Sequence, residues 1–202
     1  MPAPNSFPSC GRGTPAWFIP VIAILAATGT PSRHHSPPAA EAAPAIRALS
    51  IGDTLPALVG RDLTGRDTRV PRDSRGRVAF LTLGFTYRSR LQVEAWAERF
   101  RKEHGGASGV TFYEVPVMGG SARLARPFIE SGMKKGTPAE LHGHVITVWQ
   151  DAGEWKKRMG YSASEAAYCV LVDRDGIVRW LHAGPLDDAA WAELGHALAA
   201  VR

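Results

Sequence analysis

The residues of this chain best suited by type and spacing to do chemistry are Tyr87, Arg88, Ser89 and Arg90. They stand at the start of a helical pattern, and the free amides of a helix N-terminus attract anions. Two cations there oppose the helix dipole, at about a few tenths to 1 kcal/mol each unless an anion lies nearby. The quartet is therefore the candidate site for an acidic peptide or another anionic group of a partner. The plainer reading is a solvated loop with surface ion pairs. Ser89 could also act as a nucleophile, but a hydroxyl that caps the helix is the simpler account. Cys169 lies in an apolar run, without a helix N-terminus or basic neighbour to make a thiolate, and reads as core packing. His142 and His144 would point to one face of an extended chain, as a copper or zinc site requires. Two imidazoles lack a third ligand unless His104 or His182 comes near, so no metal and no cofactor is assigned. The pair reads instead as the polar lead-in to a strand. Trp155 beside Lys156, Lys157 and Arg158 offers a contact for a membrane surface or a partner, although a short solvated helix with one buried aromatic is preferred. No phosphate-cradling glycine loop, zinc-protease pair or serine-hydrolase elbow occurs, and no catalytic residue is assigned.

The 202 residues, 45% hydrophobic and 21% charged, suit one globular domain and exclude wholesale disorder, collagen and a polytopic membrane protein. Two cysteines are too few for a disulfide scaffold or a structural zinc site. The net charge of +5 permits contact with an anionic membrane surface or an acidic partner, but it is no nucleic-acid signature. Residues 16–27 form an apolar run that reaches about 18 Å as a helix, short of the roughly 30 Å hydrocarbon core. With Ala27, Thr28 and Gly29 as a cleavage site, residues 1–29 read as a signal peptide or short membrane anchor. Residues 30–48 read as a Pro/Ala-rich linker and 49–202 as the folded domain. The expected location is exported, periplasmic or anchored to the outer face of the inner membrane. Cys10 would leave with a cleaved segment, so Cys169 would be the mature chain's one thiol.

The elements that must position these residues alternate. Asp62 to Asp67 turns between short apolar stretches at 55–59 and 68–70, which predicts a hairpin. Residues 78–85 are a nearly continuous apolar run, a buried strand. Ser89 and Gln92 fit a capping box, and Val93, Trp96, Ala97 and Phe100 mark one helical face that Gly105 and Gly106 end. A strand over 110–117 follows, its end placed by Pro116 at an edge or the sheet margin. Residues 121–135 look helical, broken or restarted at Pro127. A strand over 145–149 and a short helix capped by Asp151 come next. Residues 168–172 and 177–181 flank the turn Asp173-Arg174-Asp175-Gly176, a hairpin signal. A last helix starts at Asp187 or Asp188. The order is α/β with a central mixed sheet, and a right-handed βαβ unit puts the Ser89 helix start at the carboxyl end of its strand.

These words, in this order, resemble the thioredoxin-like superfamily over residues 50–200. Ile51-Gly52-Asp53-Thr54-Leu55-Pro56 looks like the opening of exported thiol-disulfide oxidoreductases and peroxiredoxins, and Leu63-Thr64-Gly65-Arg66 like their following turn. The runs from Gly76 to Leu81 and from Val170 to Gly176 resemble two more of their words. The resemblance implies a thioredoxin-like fold, with an N-terminal β-hairpin and helices flanking the sheet. It also shows what is missing. Where the redox families begin the helix with Cys-x-x-Cys, Arg88 stands in place of the attacking Cys and Leu91 or Gln92 in place of the second. Ala167 or Tyr168 stands where they place a cis-proline. Gly84-Phe85-Thr86 with Ser89 and Trp96, the run from Phe112 to Val117, and Val172-Asp173 with Gly176 to Trp180 resemble the mitochondrial ATP synthase assembly factor ten family and its bacterial relatives. That family is thioredoxin-like without catalytic cysteines. It implies a non-redox binding or assembly-factor role on a membrane protein complex or its subunits, with no nucleic acid and with possible membrane-surface contact. The Gly-Phe-Thr word also occurs in thioredoxin-like copper chaperones of cytochrome oxidase assembly, whose two loop cysteines are missing here. The alternatives are a divergent peroxiredoxin-like or glutathione-handling enzyme using Cys169 or Ser89, and a metal carrier using His142 and His144.

Overall fold

The structure, a computed structural model, describes residues 45–202. The expected export segment, Cys10 and most of the expected linker lie outside the described residues. Strands β1 (Leu58–Asp62) and β2 (Asp67–Val70) form the expected antiparallel hairpin. Its turn closes on the buried Asp62 carboxylate, which accepts from the Thr64 amide and hydroxyl and from the Arg66 amide. Strand β3 (Val78–Gly84) pairs in parallel with β4 (Val110–Pro116) and antiparallel with β6 (Ala167–Val172). Strand β7 (Val178–Gly184) closes that side as the antiparallel partner of β6. The order is β4-β3-β6-β7. The hairpin adds β5 (Ile146–Thr147) to give β2-β1-β5, and isolated parallel bridges join Val145 and Val148 to β4 residues or their neighbours.

Both faces of the central sheet are covered, which is why its strands read as unbroken apolar runs. Helices α1 (Arg90–His104) and α4 (Asp188–Val201) pack one face, where Val93, Trp96, Ala97, Phe100, Leu194 and Leu198 meet Phe80, Phe112, Cys169 and Leu171. The hairpin and Trp155 of α3 (Ala152–Arg158) cover the other, against Leu81, Leu83, Val115 and Val170. Helix α2 (Arg126–Gly136) follows a 3-10 turn over Gly120–Ala125 and restarts at Pro127, as expected.

Four local expectations are corrected. Ser89 does not cap α1: a 3-10 turn over Tyr87–Ser89 precedes the helix, and Thr86 caps it by accepting from the Arg88 amide. Ser89 is thus already helical, and the Gln92 amide turns instead to the Gly184 and Glu165 carbonyls. Asp151 has a left-handed backbone (φ 55°), and its carboxylate makes no hydrogen bond to the α3 amides. His142 and His144 lie in a 3-10 turn over Ala139–His144 that leads into a strand, as expected, but the strand expected over 145–149 is only two residues long. That strand is short because only Ile146 and Thr147 find partners on β1. Asp187 behaves as expected, accepting from the Ala190 amide at 2.8 Å.

Candidate functional site

The site is built at the carboxyl end of β3, where α1 begins. Gly84 must be glycine there, since a Cβ would lie 2.8 Å from the Ser89 hydroxyl and 3.0 Å from Val93. Phe85 packs edge-on against Tyr161 and Tyr168, both at 5.4 Å. The Thr86 hydroxyl donates to the Ser164 carbonyl while accepting from Arg88. The Tyr168 hydroxyl accepts from the amides of Ser162 and Ala163 at 2.8 and 3.0 Å. The loop before β6 and the start of α1 are therefore tied together from below by buried or half-buried groups.

Above that base stands an exposed lip. Tyr87 is 84% and Leu91 72% exposed, and both arginines are exposed. Arg90 pairs with Glu94 at 2.9 Å, and its guanidinium lies 5.9 Å from the Tyr87 ring. Arg88 has no described carboxylate within 4 Å. The Glu165 carboxyl is held low chiefly by the Ser164 hydroxyl, with Arg88's charge a smaller contribution. The structure thus brings Tyr87, Arg88 and Arg90 to one surface. It removes Ser89 from that surface: Ser89 is fully buried, and its hydroxyl donates to the Thr86 carbonyl at 2.8 Å. The polar group is spent on the backbone turn that displaced it from the cap. Leu91 belongs to the lip and was missed, because its helix position gives no sign of exposure beyond lying off the apolar face.

Cys169 is closed in the middle of β6, opposite Thr82 on β3 and His182 on β7. Burial pushes its thiol well above the usual range. In the same row, beyond Thr82, Glu114 of β4 is pushed up to about 7, first by burial and then by the charge of Glu94, with Arg101 opposing. The sequence signal for it was one carboxylate in an otherwise apolar strand. Each candidate metal imidazole is engaged with backbone: His142 with the carbonyls of Lys134 and Thr137, His144 with that of Phe112, on whose ring it stacks at 4.4 Å. Among the described residues no group of three His, Cys, Asp or Glu is placed to hold a metal. Trp155 is buried, so its basic neighbours have no exposed aromatic beside them. Among the described residues no helix is long and apolar enough to cross a membrane.

No protein-family model matches the chain, and no curated protein is similar to it in sequence. Solved structures are similar in fold. A thiol:disulfide interchange protein DsbE from Chlorobium tepidum superposes with a TM-score of 0.52 at 20% identity, over 76% of this chain and 99% of that one. BsSco, a member of the Sco family of cytochrome c oxidase assembly proteins, gives 0.53 at 10% identity, over 76% and 96%. The thioredoxin domain of a thiol-disulfide oxidoreductase from Bacteroides vulgatus gives 0.50 at 17%, over 74% and 98%. With the strand order β4-β3-β6-β7, these likenesses show a thioredoxin-like α/β fold. At such identities they speak for the fold alone.

Proposed function

We propose that this chain is a non-redox thioredoxin-like protein of the cell envelope that captures a membrane protein complex or its subunits through the lip at residues 87–91. The observation that carries this reading is the start of α1. Arg88, exposed and without an ion-pair partner among the described residues, stands where the redox families place their attacking thiol. Cys169 lies fully buried in the central sheet instead. Chemistry of binding fits the lip: Tyr87 and Leu91 supply apolar and aromatic area, and Arg88 supplies a planar fork for a carboxylate. The tie from Thr86 to the loop before β6 holds that surface in place before a partner arrives.

The envelope location draws on the apolar run at 16–27 and the linker after it. The assembly role draws on the resemblance of the motifs to the ATP synthase assembly factor ten family, and BsSco carries an assembly role on the same fold. The enzyme alternative would work through Cys169 or Ser89, and both are closed off from solvent.

The test is a photo-activatable phenylalanine analogue at Tyr87 or Leu91 in cells producing the full chain. Cross-links to subunits of a membrane complex are expected from both positions and not from Asp175, equally with and without reductant. Arg88→Glu with Arg90→Glu should reduce the captured amount about tenfold or more. Capture that needs a mixed disulfide, or that ignores the charge reversal, overturns the reading.

A further inference from the structure

Helix α2 is fastened to the sheet by polar groups. Glu130 accepts from the Trp149 indole at 3.0 Å and pairs with Arg126 at 2.9 Å. Arg126 lies 5.4 Å from the Trp149 ring centre, and Arg123 in the preceding turn donates to the Trp149 carbonyl at 2.7 Å. Ile129 and Met133 are half-buried, and no residue of α2 is buried. The large apolar side chains Leu124 and Phe128, four residues apart, are 90% and 83% exposed. A surface helix ordinarily turns its largest apolar groups to the core. Here two of them stand in solvent.

We propose that this outer face of residues 120–136 docks on an anionic membrane surface. Charge complementarity is the first argument. The segment carries Arg123, Arg126, Lys134 and Lys135 against Glu130 alone, and Glu130 is engaged by Arg126. Lys134 and Lys135 are exposed and make no ion pair among the described residues. Shape is the second. A helix or peptide partner is ordinarily received in an apolar groove, whereas a protruding apolar pair flanked by cations suits the boundary between headgroups and acyl chains. The length of chain before the described residues is the third. Residues 28–44, after the apolar run at 16–27, span at most about 60 Å. That exceeds the width of a domain of this size, roughly 40 Å. A chain held at that run therefore still lets α2 reach the same bilayer. The inference does not rest on the partner lip, because its test contains lipid and no protein complex.

The experiment uses the full chain with Cys10→Ser and one added cysteine, Leu124→Cys, Phe128→Cys or Asp175→Cys, carrying a polarity-sensitive fluorophore. Vesicles are phosphatidylcholine alone or with phosphatidylglycerol. A blue shift at positions 124 and 128, absent at 175, is expected with the anionic vesicles only and should be reversed by high salt. Lys134→Glu with Lys135→Glu, checked by circular dichroism for an intact fold, should lower vesicle partition read at position 128 about tenfold or more. No shift at 124 and 128, or an equal shift at 175, overturns the proposal. So does a shift that grows with protein concentration without vesicles, which would place a second copy on this face.

Discussion

Helices α1 and α2 each follow one of the two parallel strands, β3 and β4, yet they are attached to the sheet in opposite ways. Helix α1 buries Val93, Trp96, Ala97 and Phe100, with Phe100 stacked on Phe80 at 4.5 Å and Trp96 5.8 Å from Trp180. Its outer face carries i,i+4 ion pairs, Arg90 with Glu94, Glu98 with Lys102 and Arg99 with Glu103. Helix α2 buries none of its residues, holds on through Arg126 and Glu130, and leaves Phe128 outside, beside Leu124 of the turn before it. The contrast separates two kinds of seat. A helix seated by its apolar stripe is a fixed post, so the lip at its start keeps its shape. A helix seated by a few polar bonds contributes little to the core and is free to present its apolar groups to something else.

The largest expected effect sharpens this directly. Trp96→Ala should destabilise the protein by about 3–5 kcal/mol in urea denaturation, the usual cost of emptying a core aromatic site. Phe128→Ala should stay within about 0.5 kcal/mol. Comparable losses in the two variants would break the contrast.

Next comes Glu114, beneath the α1 side of the sheet. Its folded value of about 7 lies above the usual 4.5, so the folded state binds the proton more tightly. The stability it contributes is complete below the usual carboxylate value and is lost as pH rises through about 7. Glu114→Gln should therefore flatten the pH dependence, with the gap between native and variant changing by up to about 3 kcal/mol from acid to mildly alkaline pH. A variant as pH-sensitive as the native chain would assign that dependence to other groups.

The smallest effect concerns the polar seat of α2. Glu130→Ala leaves the Trp149 indole and Arg126 without their acceptor and should cost about 1–2 kcal/mol. Hydrogen exchange should speed up in α2 amides while those of α1 hold. Uniform acceleration in both helices would mean that Glu130 supports the whole domain.

Much of the fold was legible because its signals are local. The apolar run of β3, the i, i+3, i+4, i+7 face of α1, the Asp173–Gly176 turn and the Asp187 cap all follow from spacing along a few residues. The caps read at Ser89 and Asp151 failed for a shared reason. A side chain caps a helix only if its own backbone is extended, and here a preceding 3-10 turn and a left-handed residue took that away. That Tyr87, Arg88 and Arg90 lie exposed at the start of a helix was legible from spacing. The burial of Ser89 was not, since it depends on how closely Gly84 lets the helix approach.

The sequence by itself determined the element order, the missing thiol at the start of α1 and the apolar character of the Cys169 strand, because residue type and periodicity carry those. Only the tertiary structure decided that Glu114 is desolvated, that Ser89 points inward and that Leu124 and Phe128 face out. Each of those depends on which strand or helix, distant in sequence, lies against the side chain, and no local pattern encodes that neighbour.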